Sequence, residues 1–394
     1  MPERYDDWGN PIRASNHEPI EYSFRGLAKP LARTFREYRA MILWAIVALG
    51  LYLFWGSGEP RAPPIDWKQF AYVQYATDDH NMCNSFMVFE ALHRLGSKAE
   101  RVLMYPEEWN RASSDERNVQ LLHIAERSYK VKLKPVRLIN DSGRAKPGSL
   151  NFPSSWDTTI NKLRAFELDE YDRVLHIDSG VTLRQHLDEL FTLPKVQMAM
   201  PRAYWHDAPP GQQQLTSRIM LLEPNQAEFK NFVDILNSWK LNPDFKLRRH
   251  YDMQLVNHRF GGSAMVLPHR PYILSTSEFR RENHDAYLGV HYGPQGHLPA
   301  RMKWDAVRAV EEAKLIYFDD EPLPKPWIMW PLDGLAEIQP SCGGSHLTCP
   351  ERKVWKELYD DFRKRRRSLC SILSAPAPIW RQIQNKTETP YYVN

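Results

Sequence analysis

Four short apolar runs, each followed by turn residues and alternating with helical patterns, constrain this chain more than any other feature. AYVQYAT (71–77) leads into a helix over NMCNSFMVFEALHRLG (81–96), and RVLMYP (101–106) into a second helix near 115–129. A strand lies within VKLKPVRLI (131–139), and a helix at 158–169 precedes RVLHID (173–178). In the first helix Met82, Phe86, Phe89 and Leu92 recur at three- and four-residue spacing, which gives it one apolar face to lay on a sheet. Strands alternating with helices of this length predict an α/β class with a mostly parallel sheet covered on both faces. MAMPRAYW (198–205), SRIMLLEP (217–224), GGSAMVLP (261–268) and AKLIYFDD (313–320) add further strands, and 225–239 a further helix. At 394 residues and 42% hydrophobic content the chain can bury one large core or two medium ones.

Parallel sheets take their ligands at the carboxyl ends of their strands. Thr77-Asp78-Asp79 follows the first strand and Asp178-Ser179 a later one, so the two turns are expected to share a crevice. A formal net charge of +4 is small for this length and points to no nucleic-acid partner. The four cysteines form no CxxC pair and no zinc-spaced set with histidine. Cys342 and Cys349 would close a short loop in an oxidising compartment. The basic stretch ERKVWKELYDDFRKRRRSLC (351–370) reads as an amphipathic helix whose charged face is solvated or, as the second reading, meets a membrane surface or an acidic partner.

Residues 40–56, AMILWAIVALGLYLFWG, carry no charged side chain and as a helix rise about 25 Å. That length suits the thinner membranes of the early secretory pathway. Lys29, Arg33, Arg36 and Arg39 precede the run, which predicts a cytosolic N-terminus and a lumenal body. The expected layout is a tail at 1–39, a signal anchor at 40–56, a stem at 57–68, a catalytic domain at 69–335 and a C-terminal extension at 336–394. Asn140-Asp-Ser142 and Asn385-Lys-Thr387 are glycan acceptor triplets on the lumenal side of that layout.

Four segments in order, AYVQYATDDHNMCNSFMVFEALHRLGSKAERVLMYP, NKLRAFELDEYDRVLHIDSGVTLRQHLDELFTLP, YDMQLVN and PLPKPW, carry a resemblance. Over roughly 69–335 the chain resembles the family 8, glycogenin-like glycosyltransferases, and among them the fungal type II Golgi members related to α-N-acetylglucosaminyltransferases. The resemblance implies a GT-A fold, a UDP-sugar donor, a glycan or glycoprotein acceptor, retention of anomeric configuration and a Golgi location. It also assigns residues. Tyr75, Thr77 and Asp78 would line the uridine site and Lys162 would reach the donor. Asp178 and Ser179 would lie beside the nucleotide sugar, Asp252 would hold the sugar or support the reacting centre, and Lys325 would contact the diphosphate.

Such a family uses a divalent cation, usually manganese, held by an Asp-x-Asp turn and a later histidine. By resemblance Asp178 is the first of those ligands, but Gly180 stands at the second and Tyr317 at the third, and a phenol replaces imidazole poorly at neutral pH. Three readings follow. Transfer survives with altered charge stabilisation, either because Asp319, on the Tyr317 face of an extended strand, enters the ligand shell or because Lys162, Lys325 or a nearby arginine supplies the charge. Alternatively the chain is a catalytically impaired nucleotide-binding paralogue. The third reading is a glycosidase with Asp178 and Asp252 as its carboxyl pair.

Overall fold

The computed structural model describes residues 38–41, 43–52, 64–109, 116–139, 158–206, 213–241, 252–289, 303–320, 323, 325–343 and 348–371. The chain divides into two compact units, Met1–Ile65 and Asp66–Asn394. In the first, residues 38–41 and 43–52 are helical and exposed. Among the described residues no helix is long and apolar enough to cross a membrane. The anchor expected at 40–56 is therefore not supported there, and its last four residues fall outside the described set, as do both glycan triplets.

The second unit holds a seven-stranded mixed sheet in the order β3-β2-β1-β4-β7-β6-β8. Its strands are β1 (Phe70–Tyr75), β2 (Glu100–Pro106), β3 (Val131–Val136), β4 (Arg173–Ile177), β6 (Met198–Pro201), β7 (Ile219–Leu222) and β8 (Met265–Leu267). The β1, β2, β3 and β4 ladders are parallel, whereas β7 runs antiparallel to both β4 and β6. Period-two side-chain alternation sorts the strands between two cores. Tyr72, Leu103, Leu175 and Leu221 enter one, while Val73, Val102, Val174 and Met220 enter the other. Both faces are thus covered, and that is why these runs read as nearly continuous apolar stretches.

One face carries α1 (Asp79–Arg94) and α2 (Arg117–Tyr129). The other carries a 3-10 segment, Thr159–Glu167, with α3 (Gln226–Leu241) and α4 (Asp252–Phe260). Asp78 caps α1 by accepting from the Asn81 N–H at 2.8 Å, which satisfies an otherwise orphaned donor and fixes where the chain turns. AKLIYFDD does not join the main sheet as expected. Its strand β10 (Leu315–Tyr317) lies between β5 (Val181–Leu183) and β9 (Leu274–Ser275) in a second, three-stranded sheet.

The basic helix α5 (Pro350–Cys370) belongs to the same compact unit as the sheet. Trp355, Leu358, Tyr359 and Phe362 recur at helical spacing and are buried, each contributing about 1.5–3 kcal/mol of transfer free energy. Its charges are not all solvated. Arg366, 1% exposed, donates to Asn84 Oδ1 at 2.8 Å and meets His80 Nδ1 at 2.7 Å on α1. A disulfide joins Cys370 to Cys83, and a second joins Cys342 to Cys349, so the short loop closes as expected.

Candidate active site

Parallel pairing sets the site. Tyr72 lies opposite Leu175 and Val73 opposite His176, so β1 and β4 release their chains at the same end of the sheet. Gln74 Nε2 donates to the Ile177 carbonyl and ties the two exits together. The 3-10 segment Thr159–Glu167 crosses beneath, and its Lys162 side chain is 2% exposed. Lys162 Nζ donates to Asp178 Oδ1 at 2.7 Å and lies 2.8 Å from Asp252 Oδ2. Asp252, the first residue of α4, also accepts from Ser217 Oγ at 2.5 Å. His176 Nε2 sits 3.2 Å from Asp178 Oδ1.

One ammonium between two carboxylates dictates the protonation. Burial works to raise both carboxyls, but Lys162 and the accompanying hydrogen bonds more than reverse it and hold Asp178 and Asp252 below the usual carboxylate range. Burial likewise works to lower Lys162, and the two aspartates override it and keep the ammonium charged. The cluster is therefore ionised throughout at neutral pH. A glycosidase needs one protonated carboxyl as its acid, and neither member of this pair supplies it.

The other expected residues divide into those that join the cluster and those beside it. Tyr75 closes β1 with its ring 5.7 Å from the His176 ring, and its phenol is raised by burial within reach of Lys162, Asp178 and Asp252. Thr77 is buried and accepts from Asn81 Nδ2 at 3.0 Å, and Asp78 Oδ2 accepts from the same amide at 2.9 Å. Ser179 and Gly180 continue the turn after Asp178, half-buried. Lys325 Nζ donates to the Phe318 carbonyl at 2.9 Å and lies 5.0 Å from the centre of the Tyr317 ring.

The departures from the family's metal turn meet in space. Tyr317 pairs with Val181 across β5 and β10, and the Phe318 N–H donates to the Gly180 carbonyl at 3.2 Å, so both altered positions border one crevice. A side chain leaving Gly180 would meet the Trp327 indole, whose ring atoms lie 3.5 Å from the Cβ position. The strand ends at Tyr317, so alternation does not carry Asp319 toward Asp178. Asp319 Oδ2 instead accepts from Arg218 Nη2 at 2.6 Å. Among the described residues no group of three His, Cys, Asp or Glu side chains is placed to hold a metal ion. Among the described residues the turn does not fit a divalent cation: Asp178 is taken by Lys162 and His176, and the neighbouring positions carry an indole, a phenol and an arginine-bound carboxylate.

Arg218 is the residue that sequence reasoning missed. It precedes β7, and its backbone carbonyl accepts from the Asp178 N–H at 2.8 Å. Its guanidinium lies over the Tyr317 ring at 3.7 Å and the Trp205 ring at 4.1 Å. The available signal was one cation directly before a wholly apolar strand, in SRIMLLEP. Nothing local linked it to Tyr317.

No protein-family model matches the chain. It is 42% identical over 352 residues to glucose N-acetyltransferase 1 of Aspergillus fumigatus, a match covering 85% of this chain and 88% of that one. The corresponding protein of Gibberella zeae is 41% identical over 320 residues, covering 80% of this chain and 66% of its own length. Glucose N-acetyltransferase 1-B of Kluyveromyces lactis is 24% identical over 402 residues, covering 80% and 84%. Among solved structures the galactosyltransferase LgtC, in complex with donor and acceptor sugar analogues, aligns with a TM-score of 0.47 at 13% identity, covering 79% of this chain and 99% of that one. The chain belongs to the glucose N-acetyltransferase 1 family of glycosyltransferases, and its second unit is built on a mixed sheet flanked by helices.

Proposed function

We propose that the chain transfers a sugar from a UDP-linked donor to a hydroxyl of a glycan or glycoprotein acceptor with retention of configuration. The observation that carries this reading is the ionised Lys162, Asp178 and Asp252 cluster, gathered with Tyr75, Thr77 and Asp78 at one end of the parallel strands. In this reading Tyr75, Thr77 and Asp78 bind the uridine, while Ser179 and Lys325 border the diphosphate. Lys162 holds Asp178 and Asp252 in place, and Asp252 faces the sugar. The anomeric carbon breaks its bond to the β-phosphate oxygen, which keeps the electron pair. The acceptor oxygen forms the new bond and loses its proton to the departing phosphate or to water, leaving UDP and the glycoside. The relatives are named for glucose and an N-acetyl group, and glucose bearing an N-acetylamino group is N-acetylglucosamine, so that sugar is the first donor to test.

The experiment is a donor panel on the full chain with an oligosaccharide acceptor, reading released UDP and, by NMR, the anomer formed. Turnover with UDP-N-acetylglucosamine, lowered about 100-fold or more by Asp252→Asn, is the expected result. No UDP release with any donor and acceptor would overturn the reading. Placement in a Golgi membrane through residues 40–56, with the body lumenal, is a further part of the proposal. It rests on the charge-free apolar run and the basic residues before it. Resistance of the chain to alkaline carbonate extraction is the measurement that checks it.

A further inference from the structure

Four observations converge beside the Asp178 turn. The Arg218 guanidinium is held on aromatic faces, 3.7 Å from the centre of Tyr317 and 4.1 Å from that of Trp205. Of its two terminal nitrogens, Nη2 is engaged by Asp319, whereas Nη1 is buried without a hydrogen-bond partner among the described residues. Lys325 stands on the same Tyr317 ring at 5.0 Å. Finally, Gly180 and Tyr317, the two positions that depart from the metal-binding pattern, border this crevice, and Trp327 covers Gly180.

A buried guanidinium N–H without an acceptor is costly, and planar forks of this kind match phosphate oxygens. Stacking on two rings fixes the plane of the fork before any ligand arrives, so little side-chain freedom is lost on binding. Charge appearing on a leaving diphosphate is stabilised best by groups already oriented toward it.

We infer that Arg218, carried by Tyr317 and Trp205 and assisted by Lys325, binds the donor diphosphate in the place where metal-dependent relatives of this fold use a divalent cation, so that this chain binds its donor without metal. The inference rests on the nucleotide-sugar reading above, and the experiment separates the two. Calorimetry on the full chain compares UDP with uridine, each in EDTA and in manganese chloride. Wild-type protein is expected to bind UDP with the same Kd, within about twofold, in both buffers. Arg218→Ala is expected to weaken UDP by about 30- to 100-fold and uridine by less than about twofold, the unchanged uridine binding showing that the fold is intact. Should Arg218→Ala not fold, Arg218→Lys carries the same comparison, with about tenfold weaker UDP binding because the charge stays and the fork is lost. Wild-type binding of UDP that disappears in EDTA, or variants that bind UDP as tightly as wild type, would overturn the inference alone. Wild-type protein that binds neither UDP nor uridine in either buffer would overturn the nucleotide-sugar reading and this inference with it.

Discussion

Two cationic side chains sit at the mouth of this sheet, and their surroundings differ in kind. Lys162 is 2% exposed, lies between two carboxylates and also donates to the Ser217 carbonyl at 3.4 Å, so its donors are spent inside the protein. Arg218 lies on two aromatic rings, meets one carboxylate and keeps a buried N–H without a partner among the described residues. Carboxylates neutralise a cation and hold it for architecture, whereas aromatic faces position it and leave its edge for an anion. The first centre builds the site and the second is poised to receive charge.

The sharpest way to break that distinction is Lys162→Met. It leaves two buried carboxylates facing each other, and losing one partner of a buried ion cluster costs about 3–5 kcal/mol. Urea unfolding should show that loss, and turnover should fall by roughly two to three orders of magnitude. Arg218→Ala also strands a carboxylate, Asp319, but Lys325 stays near it, so the unfolding midpoint should fall less than in Lys162→Met while UDP affinity falls by about 30- to 100-fold. If both variants behaved alike, the two centres would not be separate in role. Tyr317→Leu removes one of the two rings beneath the guanidinium. A cation on an aromatic face contributes about 0.5–2 kcal/mol, so UDP binding should weaken about 3- to 10-fold by calorimetry.

The smallest effect is on pH dependence. Asp178 and Asp252 titrate below the unfolded aspartate value of about 3.9, so the stabilisation they draw from Lys162 is whole above that pH. It is lost as pH falls through their lower, folded values. Unfolding free energy should therefore change little, on account of this cluster, between pH 7 and about 4, whereas in Lys162→Met burial raises the two carboxyls and acid should restore stability on their account.

Much of the scaffold was legible because its signals are local. Met82, Phe86, Phe89 and Leu92 announce the helix that packs on the sheet, and RVLHID announces the strand that delivers Asp178. The meeting of Tyr75, Lys162, Asp178 and Asp252 followed from a resemblance together with the rule that ligands gather at strand ends. Other features had no local trace. The tie between Arg218 and Asp319 spans 101 residues, and that between Arg366 and Asn84 spans 282. Arg366 stands in a run of basic residues that reads as solvated, yet its helix turns that one side chain inward to α1. Asp319 was expected to follow the alternation of its strand, but the strand stops two residues earlier and the carboxylate is drawn to arginine.

The amino-acid sequence by itself determined the alternation of strands and helices, the apolar faces, and the two turns on which Asp78 and Asp178 stand. Those depend on spacing within a dozen residues, where side-chain period and hydrophobicity act directly. Tertiary structure alone decided that Arg218, Tyr317 and Trp205 stack, that Trp327 covers Gly180, and that α5 closes the domain through Arg366 and Cys370. Each of those contacts depends on strand order and on which chain exits lie side by side, and neither is encoded in any single local stretch.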